Sequence, residues 1–139
     1  MNITKRILVL LTALVLVFSL ASCGDKSGSI KKAFEKEGWT VKTVNADDTG
    51  VKTILEILLS DEQIEKASEY EIILCTNGIL NSAIVMKFPS SGDLKDFLTV
   101  EDEDGKKDTS AYDKAKENGT INGNCLLITM SSEAKEIFK

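Results

Sequence analysis

Most hydrolytic and proton-transfer sites lean on an imidazole, and this chain of 139 residues contains no histidine. Ser-His-Asp and Cys-His nucleophilic sites in their usual forms are excluded with it, as are His-bearing zinc sites and histidine general bases. The chemistry-bearing residues that remain are three cysteines, 22 acids, and the aromatic residues with polar tips. Cys75 and Cys125 lie inside the apolar runs Ile72-Ile73-Leu74-Cys75 and Cys125-Leu126-Leu127-Ile128. A reactive thiol needs an electropositive, partly exposed setting, so both read as small buried hydrophobes, not joined to each other. Paired carboxylates could run glycoside chemistry. Here the acids fall in polar loops and on helix faces, away from aromatics that could platform a sugar, and they read as a solvated surface.

The acidic stretch Glu101–Asp108 is the best candidate for metal chemistry. Setting Gly105 at the invariant glycine of an EF-hand loop puts Asp102, Asp104 and Asp108 at ligand positions. The same register puts Val100 and Ala111 where the first aspartate and the bidentate glutamate belong. The stretch therefore reads as an exposed charged loop, with those three aspartates as an incomplete ligand set. Trp39, Tyr70 and Tyr112 each combine a flat aromatic face with a polar tip, and they are candidates for lining a ligand or partner surface on an open sheet face. The glycines show no phosphate-cradling spacing, and no cofactor is implied.

The amino terminus is more informative. Lys5 and Arg6 precede an apolar run from Ile7 to Leu20, which ends in Leu20-Ala21-Ser22-Cys23. As a helix at ~1.5 Å per residue the run would span roughly 21 Å, short of the ~30 Å of bilayer hydrocarbon, so it fits a signal peptide better than a membrane span. The tetrapeptide resembles the lipobox of bacterial lipoproteins. That resemblance implies a diacylglycerol thioether on Cys23, cleavage between Ser22 and Cys23, and residence on the extracytoplasmic face of a cell membrane. Cleavage there sets residues 1–22 apart as signal; the polar, glycine-containing Gly24–Ser29 then makes residues 23–29 a lipidated cysteine and flexible tether, and the length left makes residues 30–139 one domain.

Setting aside Lys5 and Arg6, the 17 Lys+Arg reduce to 15 against 22 Asp+Glu, a net charge of −7 for the remainder. Arg6 is the only arginine. An acidic surface without guanidinium groups disfavours nucleic acid and anionic headgroups as partners. A protein, peptide or cell-wall partner fits better.

In the remaining chain, Ile30, Ala33 and Phe34 mark a helix capped by Ser29 and ended by Gly38. Trp39–Val44 alternates and is rich in β-branched residues, as a half-buried strand should be. Thr49 can cap a helix carrying Val51, Ile54, Leu55 and Leu58, and Ser60-Asp61-Glu62-Gln63 is a capping box that opens another. Glu69–Thr76 and Ile79–Phe88 flank Asn77-Gly78, a two-residue hairpin signal. Ser90 or Ser91 caps a helix through Leu94 and Phe97, a further helix runs from about Ser110 to Asn118, Asn124–Met130 is the last strand, and Ser131 or Ser132 opens a terminal helix.

This order predicts an α+β fold in a single small domain: a four-stranded antiparallel sheet with helices on one face, the other partly wet, and a ferredoxin-like split β-α-β-β-α-β core plus terminal helices. Its strand order, 4-1-3-2, separates Cys75 from Cys125 by three strand spacings, roughly 14 Å, too far for a disulfide. The predicted function is a non-enzymatic binding lipoprotein. The alternatives are a small extracytoplasmic enzyme using carboxylates, a thiol or a bound metal, and a solute-binding accessory subunit.

Overall fold

The computed structural model describes residues 25–79 and 81–139. The amino-terminal features Lys5, Arg6, Ile7–Leu20 and Leu20-Ala21-Ser22-Cys23 lie outside the described residues, as does Leu80 in the hairpin. No helix among the described residues is long and apolar enough to cross a membrane.

Helix α1 spans Ser27–Lys36, strand β1 Thr40–Val44, helix α2 Thr49–Leu58, and helix α3 Asp61–Ala67. Strands β2 (Glu71–Asn77) and β3 (Asn81–Lys87) precede helix α4 (Ser91–Leu98) and a small exposed hairpin of β4 (Val100–Glu101) and β5 (Lys107–Asp108). Helix α5 (Ser110–Glu117), strands β6 (Ile121–Asn122) and β7 (Cys125–Thr129), and helix α6 (Ser132–Phe138) complete the chain. Among the described residues the fold is α+β, with six helices, a five-stranded sheet and a two-stranded one, both antiparallel.

The large sheet has the order β1-β2-β3-β7-β6, which corrects both the four-stranded count and the ferredoxin-like order. The cause is the pair of helices between β1 and β2. One helix would carry the chain back to the end where β1 began, leaving β2 parallel to it and a gap for another strand between them. Two helices, α2 and then α3, return the chain to the end where β1 stopped. Strand β2 therefore runs antiparallel to β1 and bonds it directly, Val44 opposite Ile72. A capping box at Ser60 opens the second of the two helices: its Oγ accepts from the Gln63 amide at 3.3 Å while Gln63 Oε1 accepts from the Ser60 amide at 3.1 Å.

Helices cover both faces, not one. Alternation along the strands sends Ile72, Ile84, Met86, Leu126 and Ile128 to one face, where they meet Val51 and Leu55 of α2, Ala67 of α3, and Leu94 and Phe97 of α4. Ile73, Cys75, Val85, Cys125 and Leu127 face the other way, against Ile30 and Phe34 of α1 and Ala134 and Phe138 of α6. The unbroken run Ala83-Ile84-Val85-Met86 is buried throughout, as expected of a strand covered on both sides.

Three boundaries differ from the sequence expectations. Asn77 pairs with Asn81, so three residues separate the hairpin strands where two were expected. The first helix begins at Ser27 with Lys26 at its N-cap position, one turn before the anticipated start. Beyond its C-cap Glu37 the chain turns at Gly38, whose φ of +84° suits glycine, and the Trp39 amide donates back to the Phe34 carbonyl at 3.0 Å. Asp48, not Thr49, holds the N-cap position of α2.

Candidate functional site

The two ends of the large sheet are built differently. At one end, where β3 finishes and β7 starts, Lys87 lies opposite Cys125 and the chain enters the domain. Asp25 Oδ1 accepts from the Ser27 amide at 2.9 Å and the Ser27 hydroxyl at 2.7 Å, and its Oδ2 meets Lys87 Nζ at 3.0 Å. Lys87 also contacts Glu71 at 3.6 Å, and Glu71 contacts Lys31 at 3.2 Å. Burial pushes the Asp25 carboxyl up, but the Ser27 bonds and Lys87 outweigh it and hold it well below the usual range. The bond to Asp25 in turn raises the Lys87 ammonium above its ordinary value.

Asn124 ties this end together. Its side chain is buried, with Oδ1 accepting from the Lys26 amide at 3.0 Å and Nδ2 donating to the Phe88 carbonyl at 2.8 Å. Beside it Gly123 has a φ of +59°, and a Cβ there would stand 2.5 Å from Lys26 Cγ. Residues 25–29, expected as part of a flexible tether, are thus folded into the domain, and Ser27 is buried.

At the opposite end lies an apolar groove of about 530 Å³, bounded by Ile54, Ile57 and Leu58 of α2, the start of β3, and the β7–α6 junction with Met130. Ile57 is 76% exposed and Met130 91%. Asn81, Ser82 and Ser131 bring amide and hydroxyl groups to the same groove. Ser131 caps α6, its Oγ accepting from the Ala134 amide at 3.3 Å. Sequence reasoning missed this groove, because a sheet order is needed to bring α2 and α6 to the same strand ends. The signal it overlooked was Ile57, an apolar residue off the core-facing stripe of α2, while Leu58, counted in that stripe, stands 45% exposed.

The residues singled out from the sequence lie outside this groove, and of them Asp102 and Asp108 share a depression in their own hairpin with Lys106 and Lys107. Trp39 is buried among α1 and the second face, its ring edge-on to Phe34 at 5.2 Å and its Nε1 without a hydrogen-bond partner among the described residues. Tyr70 and Tyr112 pack against the first face, Tyr70 beside Phe88 at 4.5 Å. The three aromatics therefore sit on opposite sides of the sheet and line no common surface. Asp102 Oδ1 accepts from the amides of Asp104 at 3.0 Å and Lys106 at 2.7 Å, which shapes its own hairpin turn. Asp108 Oδ1 accepts from the Ser110 amide at 2.9 Å, and the Ser110 bonds hold its carboxyl below the ordinary range. Among the described residues no group of three or more Cys, Asp or Glu is placed to hold a metal ion.

Cys75 and Cys125 are free and fully buried. Burial pushes their thiols up to about 11 and about 12, so neither is a nucleophile at neutral pH. They flank β3 at positions opposite Ala83 and Lys87. Two strand spacings across and four residues along separate them by roughly 16 Å, well beyond the ~7 Å a disulfide spans. The expected absence of a bridge holds, but for a different strand order.

Compared with known proteins, the chain matches no protein-family model, no curated protein and no solved structure.

Proposed function

We propose that this chain is a membrane-anchored bacterial lipoprotein whose folded domain is a non-enzymatic binding module on the extracytoplasmic face of the membrane. The anchor rests on Lys5 and Arg6, the apolar run Ile7–Leu20 and the lipobox-like Leu20-Ala21-Ser22-Cys23. Diacylglycerol on Cys23 supplies two acyl chains at ~0.8 kcal/mol per buried CH₂, enough for stable residence where one chain is marginal.

The observation that carries the reading is the position of Asp25. It is fixed by Ser27 and Lys87 only two residues after Cys23. Two residues extend at most ~7 Å, so a lipid on Cys23 holds the latched end of the sheet against the headgroups. Strand β3 runs from the groove to that end over Asn81–Lys87. At ~3.3 Å per residue the groove then stands roughly 20 Å further out and faces away from the bilayer. An apolar opening turned toward the envelope suits capture of a partner there.

Mass spectrometry of the membrane-extracted protein tests the anchor. A mature chain beginning at Cys23 with diacylglycerol mass is expected, and Cys23→Ala should leave the precursor uncleaved. A mature chain that starts elsewhere, or that carries no acyl mass, would overturn it.

A further inference from the structure

We propose that the groove between α2 and α6 takes a peptide segment that lays an apolar face across Ile57, Leu58 and Met130 and sets a basic side chain beside Glu133. The proposal rests on the binding-module reading above and names the chemistry of its ligand. Three observations lead to it.

First, the groove is apolar but not uniformly so. Ile54, Ile57, Leu58, Ile84, Ile128 and Met130 supply its greasy wall, while Asn81, Ser82 and Ser131 bring amide and hydroxyl groups to the same space. The Ser131 hydroxyl already donates to Asn81 Oδ1 at 3.3 Å and caps α6, but the Ser82 hydroxyl has no partner among the described residues; an acyl chain would leave it so, at a cost, whereas a peptide amide pairs with it. Second, Glu133 borders both this groove and a shallower depression lined by Lys36, Glu37 and Glu136 on the α1–α6 side. An occupant that extends past α6 therefore passes three carboxylates and one lysine. Glu136 is already paired with Lys139 at 3.1 Å. Glu133 makes no ion pair among the described residues, and its contact to the Asn81 amide is a long 3.5 Å. A cation on the occupant completes it.

Third, the same charges argue against self-association. A second copy would bring its own acidic rim, from a chain with 22 Asp+Glu against 17 Lys+Arg, onto Glu133. Like charges opposed across an interface cost free energy and reject that partner.

The test uses the mature lipidated chain in nanodiscs of zwitterionic lipid, with empty discs as control. The probe is a fluorescent synthetic peptide with leucines at positions i, i+3, i+4 and i+7 flanked by lysines, and its counter-probe replaces every lysine with glutamate. Saturable binding of the lysine peptide in the micromolar range is expected, weaker at high salt, and the glutamate peptide should bind at least about tenfold more weakly, a difference of ~1.4 kcal/mol. Ile57→Asp should abolish binding, and its exposed site lets the fold persist, which a melting curve verifies. Glu133→Gln should weaken binding several-fold and flatten the salt dependence. Equal affinity for the two peptides, or affinity indifferent to Ile57→Asp, would overturn the proposal, as would a dimer in sedimentation that buries the groove. If acylated chain binds neither peptide, the peptide chemistry falls while the anchored reading stands. A chain without acyl mass sinks the anchor whatever the peptides do.

Discussion

One end of the large sheet is finished within the domain and the other is not. At the latched end, polar groups are matched internally: Asp25 with Ser27 and Lys87, Lys87 with Glu71, Asn124 with Lys26 and Phe88. At the groove end, large apolar side chains stand in solvent and Glu133 lacks a cation among the described residues. The contrast separates a contact that serves folding from a surface that folding does not use. Substitutions at the first end should cost stability and leave binding alone, and substitutions at the second should do the reverse.

The largest expected effect is at Asn124. Asn124→Ala would strand the Lys26 amide and the Phe88 carbonyl in a buried site, at ~1–3 kcal/mol for each unsatisfied group. A total loss of about 3 kcal/mol would lower the melting temperature by ~12–18 °C for a domain of this size. Full retention of thermal stability would mean the amino-terminal segment is not held as described. Gly123→Ala comes next, at about 1–2 kcal/mol, because it combines a left-handed backbone with a clash against Lys26. The acid side of the latch is weaker and depends on pH. Asp25 is held below its ordinary value of 3.8, so its contribution is present above that value and fades as pH falls below it. Lys87 is raised above 10.5, so its contribution is whole below that value and fades as pH rises through the elevated one. Protection of the amides in residues 26–30, taken relative to the unstructured exchange rate at each pH, should therefore fall below about pH 4 and again in strong base, and Asp25→Asn should remove the acid limb while costing only ~0.2–1 kcal/mol, because its side chain is 46% exposed. An acid loss of protection that persists in Asp25→Asn would place the titrating group elsewhere. The smallest effect is at the other end: Ile57→Ser and Met130→Ser should change stability by no more than about 0.5 kcal/mol in chemical denaturation. A loss of several times that would make these side chains part of the core.

Much of this arrangement was legible in the residues. The capping box at Ser60 and the caps at Ser90 and Ser131 formed as their side chains predict, because capping is settled by residues three apart in the chain. The sheet order was not, although its cause was in view: a capping box between two apolar helical stretches means two helices, and two helices turn β2 antiparallel to β1. The second covered face was also readable. Runs such as Ala83-Ile84-Val85-Met86 and Cys125-Leu126-Leu127-Ile128 lack the polar alternation of a half-wet strand, and this outweighs the polar look of β1, which lies at the sheet edge. The groove was out of reach because α2, β3, β7 and α6 meet only through long-range pairing. The β6 strand is two residues long, too short to leave a period in the sequence.

The central claim is an orientation: the latched end against the membrane, the groove away from it. Single cysteines introduced at Lys139, beside the Gly119 turn and next to the Asn122 contact of Phe138, and at Ile79, on the hairpin tip, mark the two ends. Native Cys75 and Cys125 stay unlabelled because both are buried. With a fluorophore on each and nitroxide on the lipid headgroups, the mature chain should show strong quenching at Lys139→Cys and little at Ile79→Cys. Equal quenching at both ends, or stronger quenching at Ile79→Cys, would contradict the account.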